Sequence, residues 1–314
     1  MKLEGLHHIT MITADAQRNV AFYADTLGLR MIKKTVNFDS PDAYHLYFGD
    51  EHGSPGSILT WFEFPGARAG RPGAGMIHTL QLGVASASAL DFWAQRLDDH
   101  GHPSEREHEA TLRFHDPDGL QLELVIADRD NPPLRAEHPD VPDARAILGV
   151  EGARAYGRGP VYDAAEQLLT RTLGFTALGG GAYRLEGGRR RFHWAYDPAT
   201  GTGVQGAGTV HHIAWHSRDE DHVAWQARVG EAGARVTPVI DRDYFRALYF
   251  AEPSGVLFEI ATTSPGFAVD EDAARLGEEL RLPRQHEPLR ERLEQLLTPI
   301  VNPRAAQRER AAQA

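Results

Sequence analysis

Two stretches decide how this chain is read: GLHHIT (residues 5–10) and GTVHHIAW (208–215). Each places a pair of histidines at the head of a short apolar run, with a glycine shortly before it. Runs of that length with β-branched residues read as strands. One His-His pair carries little weight. Two pairs in matched contexts point to an internal repeat, and to a site assembled from distant parts of the chain.

Working outward from the pairs gives four related segments. The first runs from GLHHITMITAD through VAFYADTLGLRMIKKT to HLYFGDEHGSPGSILTWF, about residues 5–62. The third opens with LGVEGARAY (148–156), continues through AAEQLLTRTLGFTAL and ends near YRLEGGRRRFHWAY (183–196). Both contain a helix ending in TLGL (26–29) or TLGF (172–175), so Gly28 and Gly174 stand where a helix closes on a residue with positive φ. The second segment (75–127) and the fourth (208–262) match each other. Each has a strand, an amphipathic helix ending at Gly101 or Gly233, and two strands about a DPDG or EPSG turn.

The unit is therefore strand, helix and about three strands, used four times in the order A-B-A′-B′. An α+β fold is expected, with four βαβββ modules in two domains, 1–140 and 146–265. The Pro- and charge-rich stretch DRDNPPLRAEHPDVPDAR (128–145) reads as the linker between them. A tail, 266–314, carries one expected helix over PLRERLEQLLTPI (288–300), followed by a polar stretch expected to be disordered.

Composition narrows the function. Hydrophobic residues make up 41% and charged residues 25%, as in an ordinary soluble globular protein. The net charge of −11 argues against a nucleic-acid partner, and the arginines of GGRRRFHW (187–194) read as a solvated strand end. There are no cysteines, which excludes disulfides, zinc–thiolate sites and thiol nucleophiles. No apolar run reaches the roughly 18–20 residues that span a membrane, and MKLEGLHHIT lacks a signal peptide's apolar core, so a cytoplasmic enzyme is expected. Sixteen histidines leave room for a nitrogen- and oxygen-ligated metal.

Aligning the segments on their turns isolates three residues. Four positions after the turn glycine stand Glu259, Glu123 and Thr60 in segments four, two and one. The second histidine of each pair, His8 or His212, aligns with Thr79 in segment two and about Gly152 in segment three. That leaves His8, His212 and Glu259. Two histidines and one carboxylate on one face of an ion leave its other positions open, as in non-haem Fe(II) oxygenases. Glu259 lies in the apolar run VLFEIAT, where an unpartnered carboxylate is seldom buried. By the strand period of two, His8 shares a face with Thr10 and His212 with Ala214. His7 and His211 then point away and serve as supporting residues.

At these residues the sequence resembles the vicinal oxygen chelate superfamily, whose βαβββ modules pair into partly open mixed β-barrels around a metal. It is most similar there to bacterial ring-cleaving dioxygenases acting on hydroquinones, through LHHIT, YHLYFGDEHGSPGS (44–57), VHHIAW, DRDYFRALYFAEPSGVLFEIAT (241–262) and SPGFAVDED. The resemblance implies His8, His212 and Glu259 as metal ligands, with outer or substrate-contacting roles for His7, Thr10, His211, Arg242 and Tyr249. His45 is assigned to packing. The implied cofactor is Fe(II), with Mn(II) as the alternative, and the implied partners are a small aromatic diol and O₂. Open barrel edges favour a homo-oligomer. In the implied reaction Arg242 holds developing anionic oxygens and Tyr249 or a nearby histidine moves protons. Catechol cleavage would use the same triad. A glyoxalase-like isomerase needs a fourth ligand where Thr60 stands, with Glu63 close by, and a drug-sequestering protein needs no triad.

Overall fold

The computed structural model of the protein describes residues 1–159 and 162–306. All four modules are present. Module one comprises β1 (Gly5–Thr13), α1 (Ala16–Val20), β2 (Arg30–Val36), β3 (Tyr44–Gly49) and β4 (Ile58–Glu63). Module two comprises β5 (Met76–Val84), α2 (Ala87–Asp99), β6 (Ser104–His108), β7 (Thr111–His115) and β8 (Gln121–Ile126). Module three is β9 (Val150–Gly157), α3 (Tyr162–Gln167), β10 (Thr176–Gly179), β11 (Ala182–Glu186) and β12 (Arg191–Pro198). Module four is β13 (Val210–His216), α4 (His222–Glu231), β14 (Ile240–Asp241), β15 (Arg246–Ala251) and β16 (Leu257–Ala261).

Local chemistry explains the helix boundaries. Asp15 caps α1 by accepting the Arg18 N–H, and Ser86 caps α2 by accepting that of Ala89. In modules one and three the helix continues into a wider π-wound stretch, Ala21–Thr26 and Leu168–Leu173. Both then close as expected, with Gly28 at φ 69° and Gly174 at φ 84°. A side chain there would clash with its own backbone, which is why glycine stands at both.

Two eight-stranded mixed sheets carry the core. One runs β14-β15-β16-β13-β1-β4-β3-β2 and the other β10-β11-β12-β9-β5-β8-β7-β6. Module one therefore shares a sheet with module four, and module two with module three. The expected division at 1–140 and 146–265 does not describe how the sheets are built, because each half of the chain contributes to both. The joins are antiparallel, β1 with β13 and β5 with β9, and all four of these strands contribute to the main apolar core. The two sheets are also tied to each other, through modules one and two. The Tyr23 hydroxyl donates to Asp116 at 3.0 Å and Arg18 pairs with Asp118 at 2.5 Å.

Three expectations about the periphery change. The arginines of 187–194 are not a solvated end: Arg190 pairs with Glu151 at 2.6 Å, and Arg191 binds Asp128, Asp130 and Glu186, pinning module three to the linker. The tail helix is shorter than expected, Arg290–Leu296, preceded by a 3-10 turn over Arg284–Leu289 where Pro288 interrupts regular bonding. The tail is also docked. Leu280 bridges Lys34 and covers the β2 edge, Arg304 pairs with Glu51, and residues 307–314 lie outside those described. Among the described residues no helix is long and apolar enough to cross a membrane.

His222, the first residue of α4, is fully buried with Nδ1 3.0 Å from the Ser217 hydroxyl. Burial, reinforced by the Arg246 charge, pulls its pKa down to about 4. The unfolded chain therefore binds the proton more readily, and stability drops as pH falls from about 6.5 towards 4. The melting temperature of His222→Gln should depend less on pH across that window than the wild type's. Parallel pH profiles for the two proteins would contradict this.

Candidate metal centre

The site grows out of the ladder between β1 and β13. His8 faces Ala214 and Thr10 faces His212, while Ala214 is in turn aligned with Glu259 of β16. Four strands, β4, β1, β13 and β16, thus present their side chains to one point. The ladder breaks register twice. On β1 the pairing skips His7, and on β13 it skips His211. Each skipped residue is a β-bulge, an extra residue that bends its strand and re-aims the side chains beside it.

The bulges correct the simple alternation expected within each pair. His7 does not point cleanly away from His8, since their Nδ1 atoms lie 2.8 Å apart. His211 and His212 meet in the same way, also at 2.8 Å. One histidine of each pair must donate and the other accept. When Nδ1 of His8 or His212 carries the proton, its Nε2 lone pair is free to bind a cation. His7 is further held by a backbone hydrogen bond with Thr262. His7 and His211 are therefore each in direct contact with a candidate ligand histidine.

His8 Nε2, His212 Nε2 and Glu259 Oε2 converge. The nitrogens are 3.2 Å apart, and they lie 3.5 Å and 2.9 Å from the carboxylate oxygen. Neighbouring donors about 2.1 Å from an octahedral ion lie about 3 Å apart, so the spacing fits three ligands on one face. All three residues are buried, and Glu259 is 0% exposed. Among the described residues neither carboxylate oxygen has a well-aligned hydrogen-bond donor, even though His212 Nε2 is so close. Fully buried carboxylate oxygens left without donors are costly, and a shared cation removes that cost. The donor set therefore fits a metal of the iron or manganese type.

Electrostatics points the same way. Burial pushes the Glu259 carboxyl up, but His8 and His212 together outweigh it and hold the pKa well below the usual carboxylate range. Burial lowers His7 and His212, and it lowers His211 to about 4 with help from His212. Neutral imidazoles and an ionised carboxylate are the forms that bind metals.

A small cavity of about 30 Å³ opens over the triad and is lined by Phe38, His45, Tyr47, Phe62, Phe245 and Tyr249, among others. Arg242 also lines it, with its guanidinium 5.4 Å from the rings of both Phe38 and Tyr249 and 3.3 Å from Asp39. Burial, with Glu259 adding to it, drives the Tyr249 phenol well above its ordinary pKa, so it stays protonated. Thr10 lies 2.9 Å from His212 Nε2.

His45 does pack, its ring 4.1 Å from that of Tyr47 and 4.4 Å from that of Phe62, and both its nitrogens are hydrogen-bonded as well. Its Nε2 meets the Thr60 hydroxyl at 2.9 Å, Thr60 donates to Thr10 at 2.9 Å, and the Tyr47 hydroxyl meets His45 Nδ1 at 3.0 Å. A hydrogen-bonded row therefore runs from the cavity wall to His212. The signal available in the sequence was the spacing of His45 and Tyr47 two apart in YHLYF, on one strand face. Nothing local marked Phe38, Phe62 or Phe245. Glu63, the spare carboxylate near the fourth-ligand position, is spent elsewhere, accepting the Ala16 N–H at the start of α1 at 2.9 Å.

Fold and site together define a protein of paired βαβββ modules with a three-residue candidate metal site between two of them. A family model described as "Glyoxalase/Bleomycin resistance protein/Dioxygenase superfamily" matches residues 5–124 and 159–260, and the chain belongs to that superfamily. A Bacillus subtilis protein described as "Putative ring-cleaving dioxygenase MhqO" is 43% identical over 95% of this chain and 97% of its own. The "Chlorohydroquinone/hydroquinone 1,2-dioxygenase" of Sphingobium indicum is 32% identical over 96% of this chain and 98% of its own. A solved Bacillus subtilis structure described as a "putative dioxygenase" superposes with a TM-score of 0.87 at 41% identity, covering 96% of this chain and 98% of that one. Maize glyoxalase I, at 13% identity and a TM-score of 0.58 over 83% of this chain and 92% of that one, shares the fold alone.

Glu259→Gln, His8→Ala and His212→Ala should each lose bound metal when purified protein is assayed by elemental analysis. Chelation of the wild type should lower its melting temperature by the binding energy it removes. Full metal occupancy in all three variants would refute the ligand set.

Proposed function

We propose that this protein is an Fe(II)-dependent ring-cleaving dioxygenase whose substrate is a hydroquinone-type aromatic diol. The observation that carries the reading is the buried triad of His8, His212 and Glu259 beneath a small opening lined by aromatic side chains and Arg242. The end-to-end similarity to relatives named for ring cleavage, one of them for hydroquinone, supports the reaction class. Fe(II) held by the triad would favour loss of a phenolic proton and make the electrons of the ring available to O₂.

The chain's own residues do the rest. Phe38, Phe62 and Phe245 exclude water and hold the ring. The Arg242 guanidinium, fixed between two aromatic faces, meets negative charge that develops on substrate oxygens. The protonated Tyr249 hydroxyl donates a hydrogen bond to the same region. Neutral His45, kept so by burial and the neighbouring histidines, donates from Nε2 to Thr60 and accepts from the Tyr47 hydroxyl at Nδ1, and so fixes both groups at the cavity wall. The ring-opened product retains both oxygen atoms of O₂. A glyoxalase-type reaction is disfavoured because Thr60 offers no carboxylate and Glu63 is committed to α1.

Oxygen uptake by anaerobically metal-loaded protein tests the reading. Uptake should be faster with hydroquinones than with catechols and greater with Fe(II) than with Mn(II). It should be absent in Glu259→Gln. Arg242→Leu should lower kcat/KM roughly a hundredfold, the usual cost of losing one donor to a developing anion. No uptake with any diol and either metal would refute the proposal.

A further inference from the structure

The stretch SPGFAVDED has no part in the triad, yet its first eight residues, Ser264–Glu271, form a strap behind the cavity. A fully buried lysine holds the strap in place. Lys33 of β2 is 0% exposed, and its Nζ donates to the Phe267 carbonyl at 2.9 Å, to Asp270 at 2.6 Å and to Glu271. Its ammonium also lies 4.7 Å from the Tyr244 ring, whose hydroxyl donates to Asp270 at 3.1 Å. The strap is fastened a second time by the Gly266 N–H to the Tyr244 carbonyl at 2.9 Å.

The fastened strap presses one side chain inward. The ring of Phe267 lies 5.3 Å from that of Tyr47 and 6.5 Å from that of Phe245. Tyr47 and Phe245 both line the cavity over the triad, and Phe245 touches the rings of His7 and His8 at 5.1 Å and 5.4 Å. Space for Phe267 is reserved on its far side, where a Cβ on Gly53 would come within 2.9 Å of it. Lys33 is also the residue directly opposite Tyr47 in the β2–β3 ladder. These residues belong to a small apolar cluster separate from the main core, made of Ile32, Tyr47, Ile58, Tyr244, Phe245 and Phe267 among others.

A buried cation between carboxylates is a poor way to gain stability, because apolar residues of similar volume do as well or better. What it adds is direction, with three acceptors fixed about one point. We propose that Lys33 and Phe267 are positioning residues of the active site. Lys33 fixes the strap, and Phe267 then sets how far Tyr47 and Phe245 stand back from the triad, and so the room left for a substrate ring. The consequence for substrate choice rests on the ring-cleavage reading above, whereas the wall itself does not.

The test uses the full-length, metal-loaded protein. Phe267→Ala keeps the clamp and removes the wedge. Lys33→Met removes the clamp, and because it strands two carboxylates it is paired with the triple variant Lys33→Met/Asp270→Asn/Glu271→Gln, which leaves no buried charge without a partner. In Phe267→Ala and the triple variant, KM for hydroquinone should rise about tenfold with kcat changed less than about threefold, the scale of a lost apolar contact in a binding pocket. Metal content should match the wild type's. Preference should shift towards tert-butylhydroquinone, whose bulk the relaxed wall admits. Binding of phenol, a single-ring probe that needs no turnover, should weaken by a similar factor. KM, substrate preference and phenol affinity all at wild-type values, whatever the melting temperature, would overturn the proposal, as would a fall in kcat that tracks lost metal. If the wild type consumes no O₂ with any diol, the proposed reaction fails. The phenol titration then still decides whether the strap walls a ring pocket, and a wild type that binds no phenol counts against it.

Discussion

Strands β1 and β13 lie side by side although more than half the chain separates them, and the metal centre depends on that antiparallel ladder. Each strand carries one bulge, at His7 and at His211, on the residue just before the candidate ligand. A regular ladder would send the two histidines of each pair to opposite faces. The extra residue instead brings the Nδ1 atoms of each pair to 2.8 Å, which gives each candidate ligand imidazole a fixed partner on the side away from Glu259. Doubling the histidine is therefore a backbone device as much as a chemical one.

The second sheet is a control supplied by the fold itself. Its central ladder carries the same two irregularities, at His78 of β5 and Glu151 of β9. Thr79 and Gly152 stand where the ligand histidines would be. The carboxylate that survives there, Glu123, is neutralised by Arg113 at 3.0 Å and accepts from Gln81 at 2.9 Å. One architecture thus holds a buried carboxylate twice. In one sheet a guanidinium satisfies it, and in the other its oxygens are left facing two imidazole nitrogens. The difference lies in a few side chains, which is why the fold alone does not name the chemistry.

Much of this was legible beforehand for identifiable reasons. A helix that must stop on a left-handed residue shows glycine, as at Gly28 and Gly174, and a repeated strand–helix–hairpin unit recurs in register along the chain. The triad emerged because the repeat supplied its own comparison: His8 and His212 stand where the other segments carry Thr79 and about Gly152, and Glu259 is the one turn glutamate whose segment also keeps its histidine. The hydrogen bonds of His45 were not legible, because one histidine in an aromatic strand carries no such comparison and shows only its packing. Its role comes from Thr60 and Thr10 on two neighbouring strands. The arginines of 187–194 were misread for a related reason, since their partners Glu151, Asp128 and Asp130 lie in other segments.

By itself, then, the sequence determined the module, its four copies, the turns that bound each element and the three residues able to hold a cation. These depend on local periodicity, on backbone-permissive residues and on side-chain chemistry, all of which are read within tens of residues. The tertiary structure decided which modules share a sheet, that bulges bring each histidine pair together, and that the tail returns to wedge Phe267 behind the cavity. Those outcomes follow from packing energies between segments far apart in the chain. No local pattern records them, because the partner that makes each contact favourable is somewhere else.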